Sequence, residues 1–361
     1  MRAVALAAAV FLAAGEFPGI SPASPRHLPG ISPARHPPRG IAVGPDGNIY
    51  FVDFVDGRVL ILTPAGELGT HPGTGVRVMG IEEGTLARPH VLAIGPNGHV
   101  YFANDADYKI HRLTPGGDLV HVAGAGVAGH ADGAALEATF TDLQGGLDFD
   151  SLGNLYITDG TLLRRLTPDG RVETVARGFG DLHFGDVAAA AAGAVYVADP
   201  VNHCVWRVEG GEKTVVSDDF DQPVSVDVHA GAIYVVDYGR GHVYKIVDGV
   251  RTRIGASDKI TSPSGAAVAA DGTVYVLDDA DRSGRGVRED YNRVARIVRI
   301  NPDDTVEVVI DPGGPGKPIS PYRPQVSDSQ VPVIVGGTIM ALSIAGLAIF
   351  FWRNRRRLTA S

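Results

Sequence analysis

One octapeptide recurs six times along the chain, and this repetition constrains the fold more than any other feature. The copies are DGNIYFVD from Asp46, NGHVYFAN from Asn97, LGNLYITD from Leu152, AGAVYVAD from Ala192, AGAIYVVD from Ala230 and DGTVYVLD from Asp271. Successive copies place their tyrosines 38 to 55 residues apart. Self-similarity at this interval indicates a repeat architecture.

Each copy lies inside a longer unit of apolar runs and turns. In the first unit, a Pro-Asp-Gly-Asn turn separates the runs at 40–43 and 49–52, and the third run, at 58–62, is followed by a second turn through 64–66. Asp-Gly between apolar runs is a strong hairpin signal. A fourth run is supplied by segments such as DLVHVAG from Asp118 or RVETVAR from Arg171. The unit therefore predicts a four-stranded sheet.

The apolar runs are nearly continuous, which is typical of strands covered on both faces. One such sheet cannot bury both faces alone, whereas six in a ring can. The sequence thus predicts an all-β protein with a six-bladed β-propeller at residues 39–311. The octapeptide is the second strand of each blade with the turn before it. We expect its tyrosine to pack between blades and its final Asp (Asn104 in the second copy) to hold the next loop by accepting backbone N–H groups.

Two of these blocks, IYFVDFVDGRV and VYVADPVNHCVWRV, resemble NHL repeats, whose strand–Asp–loop–Asn–His–strand pattern is matched by Asp199, Asn202 and His203. The Gly-rich connector at 122–140 is similar to the segment between blades in bacterial NHL proteins, and the segment from His71 is a looser version. The resemblance covers about residues 39–311 and implies an NHL-type propeller, more distantly related to gluconolactonase-like propellers. This family serves mostly as binding platforms, and only some relatives are enzymes.

Both ends of the chain indicate a membrane. Residues 1–15 have the charged start and short apolar run of a signal peptide, and a Pro-rich segment follows at 16–38. Residues 312–330 form a Pro-rich stalk. The segment at 331–352 carries no charge and is long enough to span a bilayer as an α-helix. The tail at 353–361 begins with RNRRR, as expected on the cytoplasmic side. We expect a single-pass protein of a bacterial plasma membrane with the propeller outside.

Composition excludes several classes of function. The net charge is -9 with no Lys/Arg cluster before residue 353, so nucleic-acid binding is not expected. The single cysteine, Cys204, excludes a disulfide framework and a multi-cysteine metal site, and its apolar neighbours predict a buried thiol. A ladder of small residues at Gly337, Ala341 and Ala345 permits helix pairing but does not require it. The oligomeric state stays open.

Alignment of the repeats on their tyrosines predicts which side chains surround the mouth of the central channel. The polar candidates are Arg39, His90, Asp186, Ser225 and Ser264. Such a set suits an anionic or polyhydroxylated ligand; alternatively, these groups hold water and satisfy one another. No cofactor is predicted. A divalent metal in the channel is an open alternative, although His90 has only Asp186 as a partner. Asp105, Asp107 and Asp281 lack the spacing of a calcium loop.

Enlarged loops offer a second set of candidates. The loop at 278–292 is long and charged, and we expect Arg285, Arg288 and Tyr291 to contact a partner unless the loop is simply solvated. The connectors at 73–89 and 124–143 are also enlarged. Loops of a propeller are common places for added function.

Three functions remain under consideration. The first is a surface binding module for an extracellular protein, glycan or envelope component, with the bilayer contacted through the C-terminal helix. The second is an extracellular propeller enzyme that uses the channel. Sugar lactonases have an early Glu-Gly-Pro where this chain has Pro38-Arg39-Gly40, and lyase relatives need several channel histidines where this chain offers His90. The third is the outer half of a sensor, which would need a membrane partner because residues 353–361 are too few to signal.

Overall fold

Six antiparallel sheets, five of four strands and one of five, follow one another along the chain, one for each copy of the octapeptide. The computed structural model of the chain describes residues 40–53, 58–72, 91–105, 107–191, 193–279, 296–310, 331–335 and 338–342. Within each sheet the strands are hydrogen-bonded in sequence order from the first to the fourth. We number these sheets as blades one to six.

The strands of the blades have the following bounds. Blade one contains β1 Ile41–Val43, β2 Ile49–Asp53, β3 Arg58–Leu62 and β4 Leu68–Thr70. Blade two contains β5 Leu92–Ile94, β6 Val100–Asn104, β7 Lys109–Leu113 and β8 Leu119–Ala123. After the short β9 Gly133–Ala134, blade three contains β10 Leu147–Phe149, β11 Leu155–Asp159, β12 Leu162–Leu166 and β13 Arg171–Arg177. After a 3₁₀ turn at Leu182–Phe184, blade four contains β14 Val187–Ala189, β15 Val195–Asp199, β16 Cys204–Glu209 and β17 Glu212–Ser217. Blade five contains β18 Pro223–His229, β19 Ala232–Asp237, β20 His242–Val247 and β21 Val250–Ile254. Blade six contains β22 Pro263–Val268, β23 Val274–Asp278, β24 Arg296–Ile300 and β25 Val306–Ile310.

The turn between the first and second strands depends on the glycine of the octapeptide. All six of these glycines have a positive φ between 73° and 86°: Gly47, Gly98, Gly153, Gly193, Gly231 and Gly272. A side chain at such a φ meets steric strain that glycine avoids. The repeated glycine is therefore what allows the first strand to fold back into the second.

The tyrosine of the octapeptide packs between blades, as predicted. Tyr50 of blade one lies in one apolar cluster with Leu92 and Phe102 of blade two. On the third strand a basic residue stands opposite the tyrosine in five blades, in the pairs Tyr101–Arg112, Tyr156–Arg165, Tyr196–Arg207, Tyr234–Lys245 and Tyr275–Arg299. The tyrosine thus combines burial between blades with a polar partner across the strand.

The blades form a closed ring. Six apolar clusters are each shared by two consecutive blades, and one of them joins Phe51 and Leu60 of blade one to Leu277 and Ile297 of blade six. The first strands also contact one another around the ring, with β1 beside β22. Blade six supplies its own outer strand, β25, so closure needs no exchanged strand. The predicted six-bladed β-propeller is confirmed.

The last residue of the second strand is a fully buried Asp in blades three to six. Each of these carboxylates accepts a backbone N–H from the connector that precedes its own blade, as Asp159 does from Thr141 at 2.7 Å and Asp278 from Thr261 at 3.0 Å. The predicted bond to the following loop is secondary; Asp199 makes one to Asn202 at 3.0 Å. The reason is geometric, because the second strand ends beside the start of the antiparallel first strand.

The connector at 124–143 packs onto blade three. Its strand β9 pairs with β13 at the outer edge of that sheet, and Phe140 and Leu143 are buried in the core between blades two and three. Arg164, with no exposed surface, donates to Asp159 at 2.7 Å, to Asp132 at 2.8 Å and to two connector carbonyl groups. Packing onto blade three therefore accounts for much of the length of this connector.

Beyond the propeller, the start of the predicted membrane helix is a two-stranded antiparallel hairpin, β26 Val331–Val335 and β27 Thr338–Leu342. β-Branched residues on both sides of a Gly-Gly pair favour extended strands. In the described part of the chain, no helix combines the length and the apolar character that a membrane span requires. The rest of the predicted span lies outside the described residues, as do the signal peptide, residues 16–38, the stalk and the basic tail. The membrane helix therefore stays a prediction.

Candidate ligand site at the channel mouth

The first strands of the blades surround a central channel with a cavity of about 160 Å³. The wall is asymmetric. Blades six, one and two line it with apolar residues such as Ala267, Ala42 and Ala93, whereas blades three, four and five add the carboxylates of Asp148, Asp186 and Asp227. The channel therefore has an acidic side and an apolar side.

The three carboxylates join neighbouring blades. Asp148 accepts the backbone N–H of Phe149 on its own strand and that of Ala189 on the next blade, both at 2.8 Å. Asp227 does the same with Val228 and with Val268 of blade six, both at 2.6 Å. First strands of neighbouring blades share no ladder, so each carboxylate replaces hydrogen bonds that a continuous sheet would provide.

Asp186 makes the equivalent link between blades four and five. One oxygen accepts the N–H of Val187 at 2.9 Å, and the other accepts the hydroxyl of Ser225 at 2.9 Å and the N–H of Val226 at 3.2 Å. The Ser225 hydroxyl in turn accepts the N–H of Ala266 at 3.2 Å. A chain of hydrogen bonds thus runs across blades four, five and six.

Burial shifts the protonation of this side of the channel. Desolvation raises the pKa of Asp148 to about 8, and the nearby carboxylates of Asp227 and Asp186 act in the same direction. The pKa of Asp227 is also raised by burial. The carboxyl of Asp148 borders the channel yet lies deep inside the ring, which is why water does not restore its ordinary pKa.

The structure brings together two of the five predicted mouth residues, Asp186 and Ser225. Ser264 is buried, and its hydroxyl lies 3.5 Å from the carbonyl oxygen of Leu277, which is consistent with a structural role. The other candidates lie outside the described residues; these are Arg39 and His90 at the mouth, and Arg285, Arg288 and Tyr291 in the blade-six loop. Their predicted roles stay predictions.

A second group of polar side chains lies on the face where the first strands begin and the second strands end. Asp105 follows the end of β6, Asp142 and Gln144 precede β10, and His183 precedes β14. Antiparallel pairing puts all these positions at the same face of the ring, the one that carries Asp186. We call Asp105, Asp142, Gln144 and His183 the mouth cluster.

The mouth cluster is connected across three blades. The side-chain amide of Gln144 donates to Asp105 at 3.0 Å, and the backbone N–H of Gln144 donates to Asp142 at 3.0 Å. The Nδ1 atom of His183 lies 2.5 Å from Oδ2 of Asp142, and these two side chains are 26% and 21% exposed. Burial raises the pKa of Asp105, and Asp142 adds to the effect. A rigid set of acceptors and an oriented imidazole therefore faces solvent in part.

Neither a metal site with three protein ligands nor thiol chemistry is supported in the described part of the chain. No three His, Cys, Asp or Glu side chains there gather closely enough to hold a metal ion. Asp107, one of the calcium candidates, instead lies 3.0 Å from Nε2 of His111. Cys204 is buried as predicted, and burial raises the pKa of its thiol to about 12, so it is not a reactive nucleophile at neutral pH.

Comparison with solved structures places this ring among known propellers. A virginiamycin B lyase from Staphylococcus aureus is similar, with a TM-score of 0.52, 16% identity, and coverage of 75% of this chain and 83% of that one. The chain shares the propeller fold of that protein. A gluconolactonase from Xanthomonas campestris has a TM-score of 0.51 at 16% identity, covering 66% and 82%, and a nidogen–laminin complex has 0.51 at 16%, covering 63% and 83%. No family model and no curated protein matches the sequence. Identities this low show the fold alone.

Sequence reasoning considered Asp105 only as a calcium ligand and missed the other members of the mouth cluster, Asp142, Gln144 and His183. Their signal lies in two similar tripeptides, Asp-Leu-Gln at 142–144 and Asp-Leu-His at 181–183, each just before the first strand of a blade. The alignment on tyrosines extended only to the two residues that enter the first strand. The side chains that approach one another stand a few residues earlier, in the connectors.

Proposed function

We propose that this protein is a membrane-anchored extracellular binding module that recognises a hydroxyl-rich ligand, such as a glycan, at the mouth of its channel. The observation that carries the proposal is the mouth cluster, which three blades build at the face where propeller loops converge. Its groups are held by one another, so little ordering is required when a ligand binds. Binding sites in this position suit a fold that serves many functions through its loops.

The charge of the described groups bears on the ligand's chemistry. Asp105 and Asp142 offer carboxylate oxygens, and Asp186 adds a third near the channel, so the described surface accepts hydrogen bonds and disfavours anions. An array of hydroxyl donors matches such acceptors. The ring centroids of Phe184 and His183 lie 4.2 Å apart, and the partly buried Phe184 adds apolar surface beside the imidazole. We therefore favour a polyhydroxylated ligand over an anionic one.

The anchor belongs to the same proposal. An uncharged span at 331–352 followed by RNRRR supports a single crossing with the propeller outside. A chain ending at residue 330 should remain soluble, whereas the full chain should sediment with membranes. Equal partitioning of the two chains would remove the anchor from the proposal.

A glycan array tests the ligand. Full-length protein in detergent is screened against defined oligosaccharides, and the affinity of any hit is measured by calorimetry. Asp105→Ala and Gln144→Ala should each weaken binding by about tenfold or more, because an unpaired buried polar group costs about 1–3 kcal/mol. Asp169→Ala, in the turn between β12 and β13 on the opposite face, should bind like the original protein. Absence of any glycan hit, or hits indifferent to the mouth cluster, would refute the proposal.

An enzyme is the second candidate, and the His183–Asp142 pair favours it. A carboxylate that accepts the Nδ1 proton orients an imidazole and leaves Nε2 as the basic nitrogen, which is the arrangement of a general base. Solved propellers of this fold include a lactonase and a lyase. A panel of sugar lactones should be hydrolysed by the original protein, with a loss of about 10²-fold or more in His183→Ala. Identical slow rates for both proteins would exclude this role.

A further inference from the structure

Two histidines that belong to neither the channel wall nor the mouth cluster stand side by side on the outer strands of blade two. His111 on β7 and His121 on β8 are cross-strand partners, next to a register shift between Ile110 and His111. Their ring centroids are 5.8 Å apart, and the ring of His111 stacks on Phe102 at 5.6 Å. His111 is 7% exposed, whereas His121 lies at the surface.

The partners of these rings determine which nitrogen carries the proton. Nε2 of His121 lies 3.2 Å from the carbonyl oxygen of Ala123 and 2.8 Å from that of Gly124. Carbonyl oxygens only accept, so this nitrogen must donate. Nε2 of His111 lies 3.0 Å from a carboxylate oxygen of Asp107, which again makes it the donor. In the neutral form, both histidines therefore keep a lone pair on Nδ1.

The lone pair of His111 has no partner within the described part of the protein. Its Nδ1 atom is buried and makes no hydrogen bond there. A buried acceptor left in this state costs about 1–3 kcal/mol. A group that accepts the electron pair of Nδ1 would remove this cost.

We propose that His111 and His121 bind one divalent transition-metal ion of the Zn²⁺, Ni²⁺ or Cu²⁺ class through their Nδ1 atoms. Imidazole nitrogen is a preferred ligand of these ions, at about 2.0–2.1 Å from zinc. A ring nitrogen lies about 1.1 Å from its ring centre, so two rings on one ion have centres at most about 6.4 Å apart. The observed 5.8 Å fits within that limit. With two protein ligands, water completes the coordination.

The surroundings have the form that metal-bound histidines require. Such a histidine almost always donates its other ring N–H to a carboxylate or a backbone carbonyl, which fixes the tautomer and the ring orientation. Asp107 supplies the first kind of partner for His111, and Ala123 and Gly124 supply the second kind for His121. The ion would connect β7 and β8 at the outer edge of blade two and stabilise the folded state by mass action.

Zinc titration of the full-length protein tests the site. After treatment with chelator, calorimetry should show one Zn²⁺ bound per chain. His121→Ala should weaken that binding by at least about tenfold while the protein stays folded, since the side chain is exposed. His130→Ala is the matched control, because His130 is another exposed histidine, bonded to Thr141, and its loss should leave the affinity unchanged. Pulsed electron paramagnetic resonance of bound Cu²⁺ should detect two imidazoles in the original protein and one in His121→Ala.

Two results would overturn the proposal. One is the absence of Zn²⁺ binding up to millimolar concentration. The other is equal affinity in the original protein and in His121→Ala, which would assign any bound ion to other histidines. His111→Ala is a poorer test because its side chain is buried against Phe102 and its removal also affects folding. The exposed partner therefore decides the question, and neither result depends on whether the mouth cluster binds a glycan.

Discussion

Arg164 shows how much a single residue can organise in this ring. Its guanidinium is buried, lies over the ring of Phe140 at 5.3 Å, and neutralises the buried carboxylate of Asp159 while it holds the connector at 124–143. Replacing it by Met should lower the free energy of unfolding by about 3–5 kcal/mol, because a buried carboxylate is left without its partner. Urea denaturation measures this change.

Arg207→Met is the control for that substitution. Arg207 also lies on a third strand, but its ion pair with Glu209 is exposed, so its loss should cost about 0–1 kcal/mol. If both variants lose the same small amount of stability, Arg164 does not have the organising role assigned to it.

Asp148 gives a prediction about pH. Its pKa rises from 3.8 unfolded to about 8 folded, so the folded chain holds the proton more tightly. Its contribution to stability is therefore full below about pH 4 and is lost as the pH rises through about 8. Asp148→Asn, which does not titrate, should show a smaller fall in melting temperature between pH 5 and 8, by several degrees at about 2–4 °C per kcal/mol. Parallel melting curves for the two proteins across this range would show that the pKa is not raised.

At the scale of elements, the connector between blades two and three is part of the core. Gly124 opens it at a φ of 103°, and a Cβ there would lie 2.2 Å from the carbonyl oxygen of Tyr108. Its N–H also donates to the Ala135 carbonyl at 2.8 Å. Packing this close leaves no room for a side chain, so the connector's path depends on this glycine.

Gly124→Ala should be more destabilising than Gly66→Ala. Gly66 also has a positive φ, 85°, but a Cβ at that position would have no described atom within 4 Å, so it reports the backbone strain alone, about 1 kcal/mol. The steric conflict at Gly124 should add at least about 1–3 kcal/mol and speed hydrogen exchange at the N–H groups of Ala125 and Gly129. Equal losses in the two variants would mean that the connector yields without cost.

For the whole molecule, the closure of the ring gives the prediction. Every strand of the six blades comes from residues between Ile41 and Ile310, and blade six meets blade one through apolar side chains. Deletion of residues 16–36 should therefore change the melting temperature by less than about 2 °C, measured by calorimetry. A large drop would mean that the N-terminal segment supports the ring.

The candidate site illustrates what sequence patterns reach. Ser225 and Asp186 were found because the repeats align, and the structure brings them together, with Asp186 in the channel wall and Ser225 buried. In the structure they join blades four, five and six through hydrogen bonds, and a ligand at these two residues stays a prediction. Residues 142 and 183 belong to different connectors, and no local pattern states that one carboxylate will meet one imidazole.

The sequence by itself determined the number of blades, the strands and the turns, because glycine geometry and apolar runs act within one repeat and recur six times. It also determined the burial of Cys204 and the packing of the octapeptide tyrosines between blades. Only the tertiary structure decided which polar groups meet, because contacts such as Asp148 to Ala189 or Asp142 to His183 join residues about 41 apart in different blades. Those distances depend on how neighbouring sheets pack around the ring, which no single repeat encodes.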